Sequence, residues 1–99
     1  MIVRIVKMQF RPEHIQDFIT LFENKKEKIR NFPGCRYLEL LQGINDKEHV
    51  FMTYSYWESE DDLNNYRYSD LFAETWAATK SMFSEKAEAI STHKLHNLT

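Results

Sequence analysis

The chain is short of the residues that cross-link or interrupt small domains: its 99 residues hold one cysteine, two prolines and two glycines. A single cysteine, Cys35, excludes an intrachain disulfide and any multi-cysteine metal site, a usage that suits a reducing compartment. Beside a turn, that thiol reads as a small packing residue rather than a nucleophile. No apolar run approaches the roughly 18–20 residues a membrane span needs. The N-terminus enters an alternating strand, not the apolar stretch of a signal peptide. A soluble, unprocessed, cytoplasmic protein with no membrane partner is therefore expected. Neither sign of charge dominates, since 13 Lys and Arg face 15 Asp and Glu, interspersed, for a net charge of −2. That leaves no footprint for a phosphate backbone and argues against nucleic acid. The four histidines show no metal-binding spacing, so no metal site is expected. Linkers, repeats and low-complexity stretches are missing as well, which points to one domain over residues 1–99.

What the chain does have is rings. Seven Phe, five Tyr and two Trp make up 14% of it, with most after residue 50. Such a concentration builds either a core and subunit interface or a pocket. Position along the chain has to separate the two.

The hydrophobic period gives the elements. Residues 2–10 alternate, with Ile2, Arg4, Val6, Met8 and Phe10 on one face and Val3, Ile5, Lys7 and Gln9 on the other. Pro12 suits the first position of a helix, and Ile15, Phe18, Ile19, Phe22, Ile29 and Phe32 then recur at helical spacing. Lys25, Lys26, Lys28 and Arg30 gather at the negative end of that helix, and Phe32-Pro33-Gly34 stops it. Cys35–Gln42 and Val50–Trp57 read as a hairpin around Gly43-Ile44-Asn45-Asp46-Lys47. Ser59 with Asp62 forms a capping signature for a short helix through Leu63 and Tyr66. Ser69 caps another, whose stripe is Leu71, Phe72, Thr75, Trp76, Thr79 and Phe83, and Ala87–Leu95 is expected as a last strand. The order is β-α-β-β-α-α-β. That predicts an α+β, ferredoxin-like fold: a four-stranded antiparallel sheet with helices on one face.

One face of that sheet is then left over. Both faces of the first strand are at least half apolar, and a domain of this size buries only about two thirds of its unfolded surface. A second copy stacked face to face would cover the remainder, so a homodimer closing into an α+β barrel is expected.

The opening strand Met1-Ile2-Val3-Arg4-Ile5-Val6, the turn Phe32-Pro33-Gly34-Cys35, and the run from Tyr56-Trp57-Glu58-Ser59 through Ser69-Asp70-Leu71-Phe72 resemble the antibiotic biosynthesis monooxygenase domains, a dimeric α+β barrel group that includes small heme-degrading enzymes. The heme-degrading branch implies an Asn on the first strand, a Trp late in the second helix and an iron-ligating His on the third. Counted from Trp57, the last two positions fall on Tyr66 and Trp76, and residues 1–10 contain no Asn. An indole cannot ligate iron, so heme degradation fits poorly. The other branch oxidises polycyclic phenols without metal or flavin. By resemblance Trp57 would donate a hydrogen bond to substrate, while the Asn expected four residues earlier is Thr53. The resemblance thus implies a cofactor-free monooxygenase for a small phenol-, hydroquinone- or anthrone-like aromatic, with Tyr66, Phe72 and Trp76 as substrate-binding residues. A dimeric, non-catalytic binding or sensor protein is the alternative. His93 is the least forced candidate for a base, ahead of Lys7 and Glu39. Arg4 is either a snorkelling side chain, an anion anchor or one half of an ion pair at the dimer interface, the last preferred.

Overall fold

A computed structural model describes all residues, Met1–Thr99. Strand β1 (Ile2–Phe10) leads through a 3-10 turn (Pro12–His14) into helix α1 (Ile15–Arg30). The hairpin β2 (Cys35–Gln42) and β3 (Val50–Trp57) follows, then α2 (Glu60–Arg67), α3 (Asp70–Lys80) and β4 (Phe83–His93). The four strands form one antiparallel sheet in the order β2-β3-β1-β4, with β1 and β3 at its centre. The expected α+β, ferredoxin-like order is thus the observed one.

Local chemistry accounts for the boundaries. Proline at position 12 opens the 3-10 turn, and α1 proper starts at Ile15. Gly34 sits at φ +88°, in the left-handed region that a side chain disfavours, and a Cβ there would collide with the Asp62 side chain. The chain therefore turns tightly between α1 and β2, and the Gly34 carbonyl accepts a bond from the Glu58 amide across the end of the hairpin. Ser59 and Ser69 cap α2 and α3, their hydroxyl oxygens accepting from the amides of Asp62 and Phe72.

The last boundary departs from the expectation. Phe83 belongs to β4, not to the stripe of α3, and the strand starts four residues before Ala87. No glycine or proline marks this helix end. Instead Arg11 holds it, donating from its guanidinium to the Ser81 carbonyl and from its backbone amide to the Met82 carbonyl. Two bulges in β4 then change the register against β1 so that Phe83 faces Phe10. A tertiary contact stops the helix, and a linear pattern does not record it.

The pleat of the central strands divides their side chains cleanly. Met8, Phe10 and Phe51 point toward the helices and pack with Phe18 of α1, forming the main core with Met82. Cys35, Trp57 and Leu63 form a smaller cluster at the other end. The cysteine is buried, and burial pushes its thiol pKa up, which matches an inert packing role. On the opposite face lie Val3, Ile5, Met52, Tyr54 and Tyr56 from the central strands, with Tyr37 and Leu41 of β2 and Ile90 of β4. Leu41 is 42% exposed and Ile90 58%. This face carries a broad apolar surface with no helix over it.

Candidate active site

The helices do not close fully on the sheet. Between them lies a cavity of about 300 Å³ lined by 19 residues, 13 of them hydrophobic. Sheet residues Arg4, Val6, Met8, Leu38, Thr53, Ser55, Trp57 and Ala89 form its floor, and α1, α2 and α3 provide the walls. The floor is a consequence of alternation: cross-strand pairing sets Arg4 opposite Ser55, Val6 opposite Thr53 and Ile2 opposite Trp57, all on the helix side.

Four of the residues singled out from sequence meet here. Trp57, only 1% exposed, closes the floor at the end of β3. Tyr66 of α2 stacks on it, with ring centroids 4.9 Å apart at 22°. Phe72 meets Tyr66 edge to face at 5.2 Å, and Trp76 lies nearly parallel to Phe72 at 5.8 Å and 10°. Two roughly parallel pairs joined by an edge contact make one continuous aromatic wall.

Trp57 is placed differently from what a substrate-donating indole requires. Its Nε1–H donates to Ser55 Oγ at 2.9 Å, so the indole is already engaged inside the protein. The acceptor is the informative partner: Ser55 lines the cavity, is itself buried, and keeps a hydroxyl proton to offer. Ser55 belongs to no motif that marks it in the sequence, although alternation puts it on the same face as Trp57. Thr53 lines the cavity two residues earlier.

Tyr66 is perturbed. Burial first, and the neighbouring Cys35 second, push its phenol pKa up to about 12. The phenol is thus held neutral, which disfavours a role as a base. Because its folded value lies above the ordinary 10, the unfolded chain loses this proton first as pH rises. Stability from this group is complete below about pH 10 and lost between about 10 and 12, a fall of about 3 kcal/mol. Tyr66→Phe should flatten that part of a denaturation-against-pH profile, and an unchanged profile would contradict the assignment.

The base candidates do not converge here. His93 ends β4 opposite Ile2, is exposed, and is not among the lining residues. Lys7 and Glu39 project from the opposite sheet face, paired with Met52 and Tyr54. No His, Lys, Asp, Glu or Cys lines the cavity, so it offers no imidazole or carboxylate to an iron, and no group of three such side chains elsewhere could hold a metal. Arg4 corrects an expectation. It lies on the helix side, not on the open face where a dimer ion pair would form, and its guanidinium donates to Ser91 Oγ at 2.9 Å.

The profile of the antibiotic biosynthesis monooxygenase family matches residues 1–78. The chain belongs to that family. The matched segment spans β1 through most of α3 and so contains all of the aromatic wall; β4 lies beyond it. Solved structures extend the likeness to the whole fold. A conserved protein from Methanosarcina mazei Go1 is 23% identical, with a TM-score of 0.87 over 95% of this chain and 93% of that one. An antibiotic biosynthesis monooxygenase is 17% identical, with 0.88 over 97% and 100%. SnoaB, a cofactor-independent oxygenase from Streptomyces nogalater, is 14% identical, with 0.86 over 98% and 95%. At such identities the likeness carries the fold alone. No curated protein matches the sequence significantly. The chain thus carries the antibiotic biosynthesis monooxygenase domain, and none of its helices is long and apolar enough to cross a membrane.

Proposed function

We propose that the protein is a cofactor-independent monooxygenase, working as a cytoplasmic homodimer on a planar aromatic small molecule of the phenol, hydroquinone or anthrone type. The observation that carries this reading is the cavity: ring faces from Trp76, Phe72 and Tyr66 on one side and the hydroxyls of Thr53 and Ser55 on the other, in an otherwise apolar space. Its 300 Å³ falls at the small end of ligand pockets, which span roughly 300–1,000 Å³, and suits a ligand of two or three fused rings. SnoaB, a cofactor-independent oxygenase with the same fold, supports the reaction class.

The chemistry asks little of the protein. An anthrone methylene reacts with one O₂: its carbon takes one oxygen atom as the new carbonyl, and the other leaves as water with the two methylene hydrogens. The substrate supplies all four electrons that reduce the O₂, so no external reductant is needed. The cavity's part is to exclude water, stack the rings and hold the phenolic oxygen, with the Trp57 indole fixing the Ser55 hydroxyl in place. Purified protein in air, with no added cofactor, should convert such a substrate to its quinone, read by absorbance. Trp76→Ala should reduce kcat/KM about tenfold or more by removing a stacking face worth about 1–2 kcal/mol. No quinone across a panel of hydroquinones and anthrones would sink the enzymatic reading.

A binding or sensor protein is the second reading, and one observation favours it: the lining holds no general base. Thermal stabilisation by a planar aromatic without product would decide for it.

The homodimer is supported by the uncovered sheet face. Tyr37, Leu41 and Ile90 are exposed on this face, beside the part-buried Ile5, Met52 and Tyr54, with no helix over them, and a second copy of the same face would be self-complementary under two-fold symmetry.

A further inference from the structure

The cavity carries two positive charges and no negative one. Arg4, on β1, and Arg67, in the last turn of α2, are its only lining residues that are charged at neutral pH. Neither makes a salt bridge; the three ion pairs of the chain join His14 to Asp17, Lys26 to Glu23 and Arg36 to Glu58. Arg4 is partly buried, and its one side-chain bond is to the neutral Ser91 hydroxyl. Burial first, and the field of Arg67 second, pull its pKa down. A part-buried guanidinium with no carboxylate partner, lining the cavity together with the exposed Arg67, leaves room for an arriving anion. Arg67 alone has a structural reason to sit at a helix C-terminus. Arg4, in mid-strand on the face turned to the cavity, has only its bond to the neutral Ser91 hydroxyl across the β1–β4 pair. A third feature points the same way: Thr75 lines this cavity, and its Oγ1 is buried without a hydrogen-bond partner.

We propose that Arg4 and Arg67 form an oxyanion anchor, so that the cavity binds its aromatic ligand as the anion, with the ring against Trp76 and the ionised oxygen at the guanidiniums. The proposal rests on the aromatic-ligand reading above and supplies what that reading lacked. A site with no base does not need one if it selects a substrate already ionised: preference for the anion lowers the bound phenol's pKa, and the proton goes to bulk water. The ionised phenol is also the electron-rich form that reacts with oxygen. Ligand class follows from this chemistry: fused-ring phenols acidic enough to ionise near neutrality, with neutral ring systems of the same shape bound less well.

A nitronaphthol whose neutral and ionised forms absorb at different wavelengths tests the anchor without turnover. Titrated on the full-length protein, the bound probe should ionise at least about one pH unit below the free probe, which corresponds to about tenfold preference for the anion. Arg4→Met should remove most of that shift, Arg67→Met part of it, and Arg4→Lys should keep more than Arg4→Met. Affinity for the neutral naphthalenemethanol should stay within about twofold in all three. Circular dichroism and that neutral ligand confirm that each variant is folded with its cavity intact. If Arg4→Met does not fold, Arg67→Met, on the exposed end of α2, still has to lose part of the shift. A bound probe that ionises at or above its free value, or a full shift in the folded variants, overturns the anchor and leaves the aromatic pocket standing. Failure of both the nitronaphthol and naphthalenemethanol to bind overturns the two together.

Discussion

Phe10→Ala is expected to cost about 3–5 kcal/mol and to lower the melting temperature by more than about 12 °C. Phe10 is fully buried at the end of β1 and touches rings from three other elements. It stacks on Phe18 of α1 at 4.2 Å, meets Phe51 of β3 edge to face at 5.5 Å, and lies 5.3 Å from Phe83 of β4. Removing it leaves a void where strands and helix meet, and the surrounding rings are held by both sheet and helix and cannot collapse inward. Small domains have about 5–15 kcal/mol in total, so the variant should sit near the threshold of folding. Phe10→Leu, which keeps most of the volume, should lose roughly a third as much. Urea denaturation of the two variants decides the matter, and a loss below about 1 kcal/mol for Phe10→Ala would show that the core is not organised around this ring.

Ile5→Glu addresses the other side of the same strand. Ile5 lies at the middle of the open face, opposite Tyr54 on β3 and Ile90 on β4. In a face-to-face dimer each copy would bury a carboxylate in an apolar interface, at a cost of several kcal/mol per charge. The parent protein should sediment at twice its 11.9 kDa chain mass at micromolar concentration and the variant at the chain mass, with its helix content unchanged. A parent that sediments as a monomer would remove the dimer from the proposal. A variant that remains dimeric would place the interface elsewhere.

The two predictions mark how much of this molecule its sequence carries. Strand β1 was legible to the residue because a period of two has only two phases: once Phe10 and Met8 face the core, Ile5 and Val3 must face away. The hairpin bounds, Cys35–Gln42 and Val50–Trp57, followed from Gly34, Gly43 and the runs of β-formers between them. The serine caps at 59 and 69 located both later helices. The end of α3 was not legible. Arg11, seventy residues away in sequence, supplies the bond to the Ser81 carbonyl that a glycine would have made unnecessary. For the same reason Phe83, at helical spacing from Trp76, looked like its neighbour on a helix; it does lie beside Trp76, 5.6 Å away, but reaches it from the sheet.

The site divides in the same way. Sequence by itself determined the fold class, the family and the set of rings after residue 50, because these depend on local period, caps and turn chemistry, each written in a few adjacent residues. It also put Trp57, Tyr66, Phe72 and Trp76 on faces turned toward one another. Only the tertiary structure decided what those rings surround: that the Trp57 N–H is committed to Ser55, that His93, Lys7 and Glu39 stay away from the cavity, and that Arg4 and Arg67, 63 positions apart, share it without a carboxylate. A charge's partner is set by distance through space, and no spacing along the chain encodes the absence of one.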